Sequence, residues 1–109
     1  GPYAPGDEAH IELLWRSITP PADALVSVQV LGPDQAKIAQ WDGALGGWHP
    51  SAAWLPGATV RQAVPLALAP DAPPGEYQVA LVVYRASDGT PYLIDGQPLV
   101  TIERLTIAP

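Results

Sequence analysis

The chain has no cysteine, methionine or phenylalanine among its 109 residues, and it contains no asparagine. Without cysteine, disulfide frameworks and thiolate metal sites are excluded. Lacking thermolabile Asn, Met and Cys fits a thermophilic source, and a GC-rich genome that favours Arg over Lys explains the same bias. Basic residues are scarce. Arg16, Lys37, Arg61, Arg85 and Arg104 stand against eleven acids, for a formal net charge of −6. They are scattered, so there is no basic stripe to neutralise phosphates, which argues against nucleic-acid binding and against adhesion to an anionic membrane. No apolar run approaches the roughly 18 residues needed to span a bilayer. Gly1-Pro2 fits a cloning remnant, and residues 1–8 are expected to form a lead-in to one domain over 9–109.

What is present is proline and glycine, fourteen and ten, punctuating short runs with apolar residues at every second position. That is the pattern of strands and turns rather than helices. Seven strands are expected. Ala9 to Ser17 places Ile11, Leu13 and Trp15 on one face, with His10, Glu12, Leu14 and Arg16 on the other. Leu25 to Leu31 turns Val26, Val28 and Val30 inward, and Lys37 to Asp42 follows a turn at Gly32-Pro33-Asp34-Gln35. Val60 to Leu68 alternates cleanly except for polar Gln62 on its apolar face, and Pro65 marks it as an edge strand or a bulge. Glu76 to Arg85 is apolar on both faces and reads as a central strand. Asp88-Gly89 is a favoured hairpin pair, with Tyr92 to Ile94 as a short return strand. Leu99 to Ile107 changes phase at Glu103-Arg104, which predicts a bulge there. Turn signals every 8–12 residues or so predict an immunoglobulin-like antiparallel β-sandwich.

Several phrases occur in order: Tyr3-Ala4-Pro5-Gly6-Asp7, Leu13-Leu14-Trp15-Arg16, Ile38-Ala39-Gln40-Trp41-Asp42-Gly43, His49-Pro50-Ser51, Trp54-Leu55-Pro56-Gly57 and Pro73-Pro74-Gly75-Glu76-Tyr77. Together with the apolar strand ending in Tyr84 and the Asp88-Gly89 turn, they resemble a β-sandwich domain at the C-terminus of large multi-pass bacterial membrane proteins. Those proteins are similar to glycosyltransferases that use polyprenyl-phosphate sugars, related to protein mannosyltransferases, and are found especially in phototrophic bacteria of the Chloroflexi type. The resemblance covers nearly the whole chain. It departs at Pro50-Ser51-Ala52-Ala53-Trp54, where the pattern has proline–threonine–tryptophan, and at Ala58, where an acid is common. It implies a place outside the membrane beside a glycosyltransferase core, and it carries over no catalytic residue.

Reactive constellations are sparse. His49 and Ser51 are close in sequence, but Ser51 is explained as well by a turn. No zinc-like spacing links His10 and His49, and His10 reads as a surface strand residue. Asp34, Asp42, Asp88 and Asp95 could supply oxygens to calcium, yet Asp7, Asp23, Asp34, Asp71 and Asp88 sit where turns need capping. No cofactor is expected.

The four tryptophans offer the sharper alternative. Trp15 belongs with the core, while Trp41, Trp48 and Trp54 sit in or beside the irregular stretch 43–58. Exposed indoles stack on sugar rings, which makes Trp48, His49, Trp54 and Tyr92 the candidate ligand-binding residues, with Trp48 freed by Gly46-Gly47. The competing account, preferred here, has these rings closing one end of the sandwich as a small core. The reading is therefore a non-catalytic accessory domain of a larger membrane-anchored protein, docking on its own membrane-embedded part, with a carbohydrate-binding module that recognises an envelope glycan as the alternative.

Overall fold

A computed structural model describes residues 2–16, 24–45, 54–94 and 96–109. Six strands are formed by the described residues: β1 (Glu8–Arg16), β2 (Ala24–Leu31), β3 (Lys37–Ala44), β4 (Thr59–Ala67), β5 (Gly75–Arg85) and β6 (Val100–Ile107). All the paired strands run antiparallel, in a four-stranded sheet of order β3-β2-β5-β6 and a two-stranded sheet β1-β4. The same order places strands C′-C-F-G against B-E in an immunoglobulin-like sandwich.

Alternation builds the interface between the sheets. Ala9, Ile11 and Leu13 of β1 and Val60, Val64 and Leu66 of β4 are buried, facing Val26, Val28 and Val30 of β2 and Tyr77, Val79, Leu81 and Val83 of β5. Each fully buried aliphatic side chain contributes roughly 1.5–3 kcal/mol. β5 lies between β2 and β6, and on its other face Ala80 is buried while Val82 and Tyr84 are half-buried. That is the covering expected of its doubly apolar sequence.

Gln62 shows why a polar residue can sit on the apolar face of β4. It is only 3 % exposed. Its Oε1 accepts from the Trp15 indole N–H at 2.9 Å, and its Nε2 donates to the Ala44 carbonyl at 3.0 Å. One side chain thus ties β1 and β4 to the last residue of β3. The Ala69 N–H donates to the Ile38 carbonyl at 3.0 Å, so the sandwich is laced shut along its β3/β4 side.

Three expectations are corrected. Tyr92 to Ile94 is not a strand: the Tyr92 N–H still donates to the Val83 carbonyl at 2.7 Å beside the isolated bridge Tyr84↔Pro91. The pairing with β5 stops there, because Ile94 and Gln97 exchange backbone bonds of 2.8 and 2.9 Å that curl the chain onto itself. The bulge in β6 falls at Ile102 rather than Glu103-Arg104, because Val79 pairs with Glu103 and Ala80 with Thr101. Ile102 is the extra residue and is pushed outward, which lets Leu105 and Ile107 turn inward. Trp15 is half-buried, its indole reaching Gln62 at the margin of the core. Ser17, the last residue of the first expected strand, lies outside the described residues.

Candidate functional site

Antiparallel register fixes which connections share an end. Arg16 pairs with Thr59, Ala24 with Arg85, and Leu25 with Ala44. The Gln62–Ala44 bond brings the two sheets together at that same end. The connections 17–23, 45–58 and 86–99 therefore issue from one end of the sandwich, and the tighter connections 32–36 and 68–74 from the other. Binding groups concentrate on such loops because the scaffold holds their bases rigid. In variable immunoglobulin domains the equivalent B–C, C′–C″ and F–G loops form the recognition end.

Of the candidate ligand-binding residues, Trp54 and Tyr92 lie on connections that leave this end. Trp48 and His49, and Ser51 with them, lie outside the described residues. Trp54 is 6 % exposed and belongs to the core cluster with Leu45. It presents no stacking face to solvent, and burial of its large apolar ring accounts for its position. Tyr92 is half-buried against the core. The Arg85 guanidinium lies 5.9 Å from its ring centroid, within cation–π range.

The 86–99 connection begins as a tight hairpin turn. The Arg85 N–H donates to the Thr90 carbonyl and the Gly89 N–H to the Arg85 carbonyl, both at 2.8 Å. Gly89 has φ +75°, the left-handed conformation that glycine adopts without steric cost. Asp88 Oδ1 accepts from the Thr90 N–H at 3.0 Å, and its Oδ2 lies 3.5 Å from Arg85 Nη1. Hydrogen bonds from Thr90, then the Arg85 charge, hold the Asp88 carboxyl below its ordinary value of 3.8.

Other candidates resolve into structural roles. Asp7 and Asp34 accept from the backbone N–H of Ala4 and Ala36 at 2.8 and 3.0 Å, capping their turns. His10 is exposed, its Nε2 3.2 Å from Glu8 Oε1. Among the described residues, no three His, Asp or Glu side chains are grouped to hold a metal ion, and no helix is long and apolar enough to cross a membrane.

Sequence reasoning overlooked a set of leucines. Leu55 is 75 % exposed and Leu93 66 %, with Leu99 also exposed. Leu55 and Leu93 lie on the two long connections that leave the loop end, and Leu99 closes the second of them, directly before β6. Their signal was available: Leu55 precedes Pro56-Gly57, and Leu93 and Leu99 flank turn residues where no alternation buries them. A scan against protein-family models and a search of curated proteins find no match for the chain.

Proposed function

We propose that the chain is a non-catalytic interaction domain of a larger, membrane-anchored glycosyltransferase-like protein, docking through its loop end on the extracytoplasmic side of the membrane. The observation that carries this reading is the set of exposed leucines, Leu55, Leu93 and Leu99, on the two long connections that leave the same end of the sandwich. Apolar side chains gathered on loops of a rigid scaffold suit a protein surface, where desolvating them drives association. The membrane-protein context rests on the ordered sequence phrases from Tyr3 to Tyr84.

The test is photo-cross-linking in the full-length protein in its native membrane, with a benzophenone amino acid at position 55 or 93 and a control at Gln29 on the outer face of β2. Adducts to the membrane-embedded portion from the loop positions, and not from position 29, are expected. Equal labelling from all three positions, or adducts from none, overturns the reading.

The carbohydrate-binding alternative rests on Trp48, His49 and Tyr92, since Trp54 is enclosed. Titrating the domain with polysaccharide fragments and polyprenyl-phosphate sugars, while following the four indole N–H resonances, decides it. Saturable shifts at Trp48 support it, and none at millimolar ligand ends it.

A further inference from the structure

On the side of the sandwich opposite the laced β3/β4 side, β1 lies beside β6 with an edge that pairs with none of the described residues. A groove of about 400 Å³ runs between them, lined by Leu13, Leu14, Trp15, Val100 and Ile102. Exposed strand edges are templates for further pairing, and proteins blunt them with charged side chains, proline, bulges or covering chain. Three of the four edges here carry proline, a bulge or covering chain, whereas β1 carries charges of both signs, Glu8, Glu12 and Arg16. β4 carries Pro65. β6 carries the Ile102 bulge, and Tyr3 is bonded to Thr106 and Ala108 along it. β3 has a register irregularity opposite Val30/Leu31 and is bonded at Ile38 to Ala69. β1 runs Glu8–Arg16 with no proline, glycine or bulge.

Hydrogen-bond parity says which groups the β1 edge offers. The Leu68 N–H donates to the Asp7 carbonyl at 2.9 Å, extending the register in which Glu8 faces Ala67. Bonded and non-bonded pairs alternate along an antiparallel ladder. Ala9, Ile11, Leu13 and Trp15 thus direct their backbone groups to β4, while Glu8, His10, Glu12, Leu14 and Arg16 direct theirs outward. The same parity puts Pro65, opposite His10, where its missing N–H would have faced away from β1.

We infer that β1 pairs with β1 of a second copy of this chain, antiparallel about a twofold axis at Leu14, to make a continuous sheet β4-β1-β1-β4. Only registers that match outward-facing residues with outward-facing residues are allowed. Centring on Glu12 joins Glu8 of each copy to Arg16 of the other but sets two glutamates directly opposite each other at the axis, which is destabilising. Centring on Leu13 sets His10 against Arg16 and joins no opposite charges. Centring on Leu14 places Glu12 of each copy opposite Arg16 of the other. Leu14, 65 % exposed in the middle of an otherwise charged face, then meets its own counterpart. Each pair exchanges both of its N–H···O bonds, and half-buried Trp15 is covered by Leu13 of the second copy. This inference goes beyond the docking reading and uses a different surface from the loop end.

Sedimentation and light scattering of the 109-residue chain across micromolar to millimolar concentration test it. A concentration-dependent dimer is expected. Leu14→Pro removes an outward N–H and no β1–β4 bond, so it should give a monomer with unchanged far-UV circular dichroism. Leu14→Lys, which opposes like charges at the axis, should do the same and covers the case in which the proline variant fails to fold. Glu12→Arg and Arg16→Glu should each weaken the dimer roughly tenfold, and the double variant should restore it. A wild type that stays monomeric at millimolar concentration, a folded Leu14 variant that remains dimeric, or a double variant no better than its parents overturns the proposal.

Discussion

The Tyr77 hydroxyl donates to the Pro73 carbonyl across a gap of 2.6 Å, binding the first turn of β5 to the connector that delivers it. Tyr77 is buried and faces Leu105 across the β5–β6 ladder. Its ring fills the core while its polar tip reaches back over the Pro73-Pro74-Gly75 segment. Immunoglobulin-like sandwiches use the same device, a tyrosine corner, where the chain crosses from one sheet to the other. Here the crossing carries the chain from β4 to β5.

Removing that hydroxyl isolates its contribution. Tyr77→Phe keeps the ring but leaves the Pro73 carbonyl without its partner. The bond is part-buried and Pro73 is exposed, so water can take the place of the lost donor and the loss is the net worth of one hydrogen bond, about 0.5–1.5 kcal/mol. Chemical denaturation should show that loss with an unchanged m-value. An unchanged midpoint would show the corner to be incidental to stability.

Gln62 is expected to couple two strands energetically. Its Oε1 holds the Trp15 indole and its Nε2 holds the Ala44 carbonyl. Gln62→Leu fills the space but removes both part-buried hydrogen bonds, at about 0.5–1.5 kcal/mol each. In a double-mutant cycle with Trp15→Phe, the two changes should be non-additive by roughly 0.5–3 kcal/mol. Strict additivity would show the Trp15–Gln62 bond to be energetically silent.

How much of this was legible in the sequence depends on which force dominated locally. Burial of a single face has a period of two, so β1, β2, β4 and β5 stood out, and the odd placement of Gln62 marked a polar group with a purpose. Pro65 declared β4 an edge because its chemistry forbids one backbone bond. The bulge in β6 was visible as a phase change, but its position was settled by which residue could be spared from the core, and that was Ile102. Tyr92 to Ile94 looked like a strand because its residues are apolar, and Tyr92 does bond to Val83, yet Ile94 pairs with Gln97 instead of continuing along β5. Of the candidate site, Trp48 and His49 lie outside the described residues and Trp54 is enclosed. Trp54 illustrates the limit: from the sequence a loop tryptophan can be a sugar platform or a core plug, and its burial in the core cluster makes it the plug.

Gly43 is a packing prediction. It lies on the inner face of β3, opposite Val26, two residues from Trp41 opposite Val28. A Cβ at this position would come within 2.5 Å of the Trp41 ring, which is folded across the glycine. Gly43→Ala should therefore destabilise by about 1–3 kcal/mol through overpacking. The loss should shrink in a Trp41→Leu background, where the ring is gone. Equal costs in both backgrounds, read from thermal unfolding, would place the strain elsewhere.

Asp88 supplies a pH prediction whose sign follows from its hydrogen bonds. The Thr90 backbone N–H, the Thr90 hydroxyl and Arg85 all favour the ionised carboxylate, so its folded pKa lies below the ordinary 3.8. A group depressed on folding stabilises the native state at pH values above its unfolded pKa. That contribution is present above about pH 4 and is lost as the pH falls through the lower folded value. A carboxyl-detected NMR titration should give Asp88 a midpoint below the ordinary 3.8. Thr90→Ala should raise the Asp88 midpoint by removing the hydroxyl donor while keeping the backbone one, and Arg85→Gln should raise it less, because the guanidinium is the weaker influence. A larger rise from Arg85→Gln than from Thr90→Ala would show that charge, not the turn's hydrogen bonds, holds the carboxylate ionised.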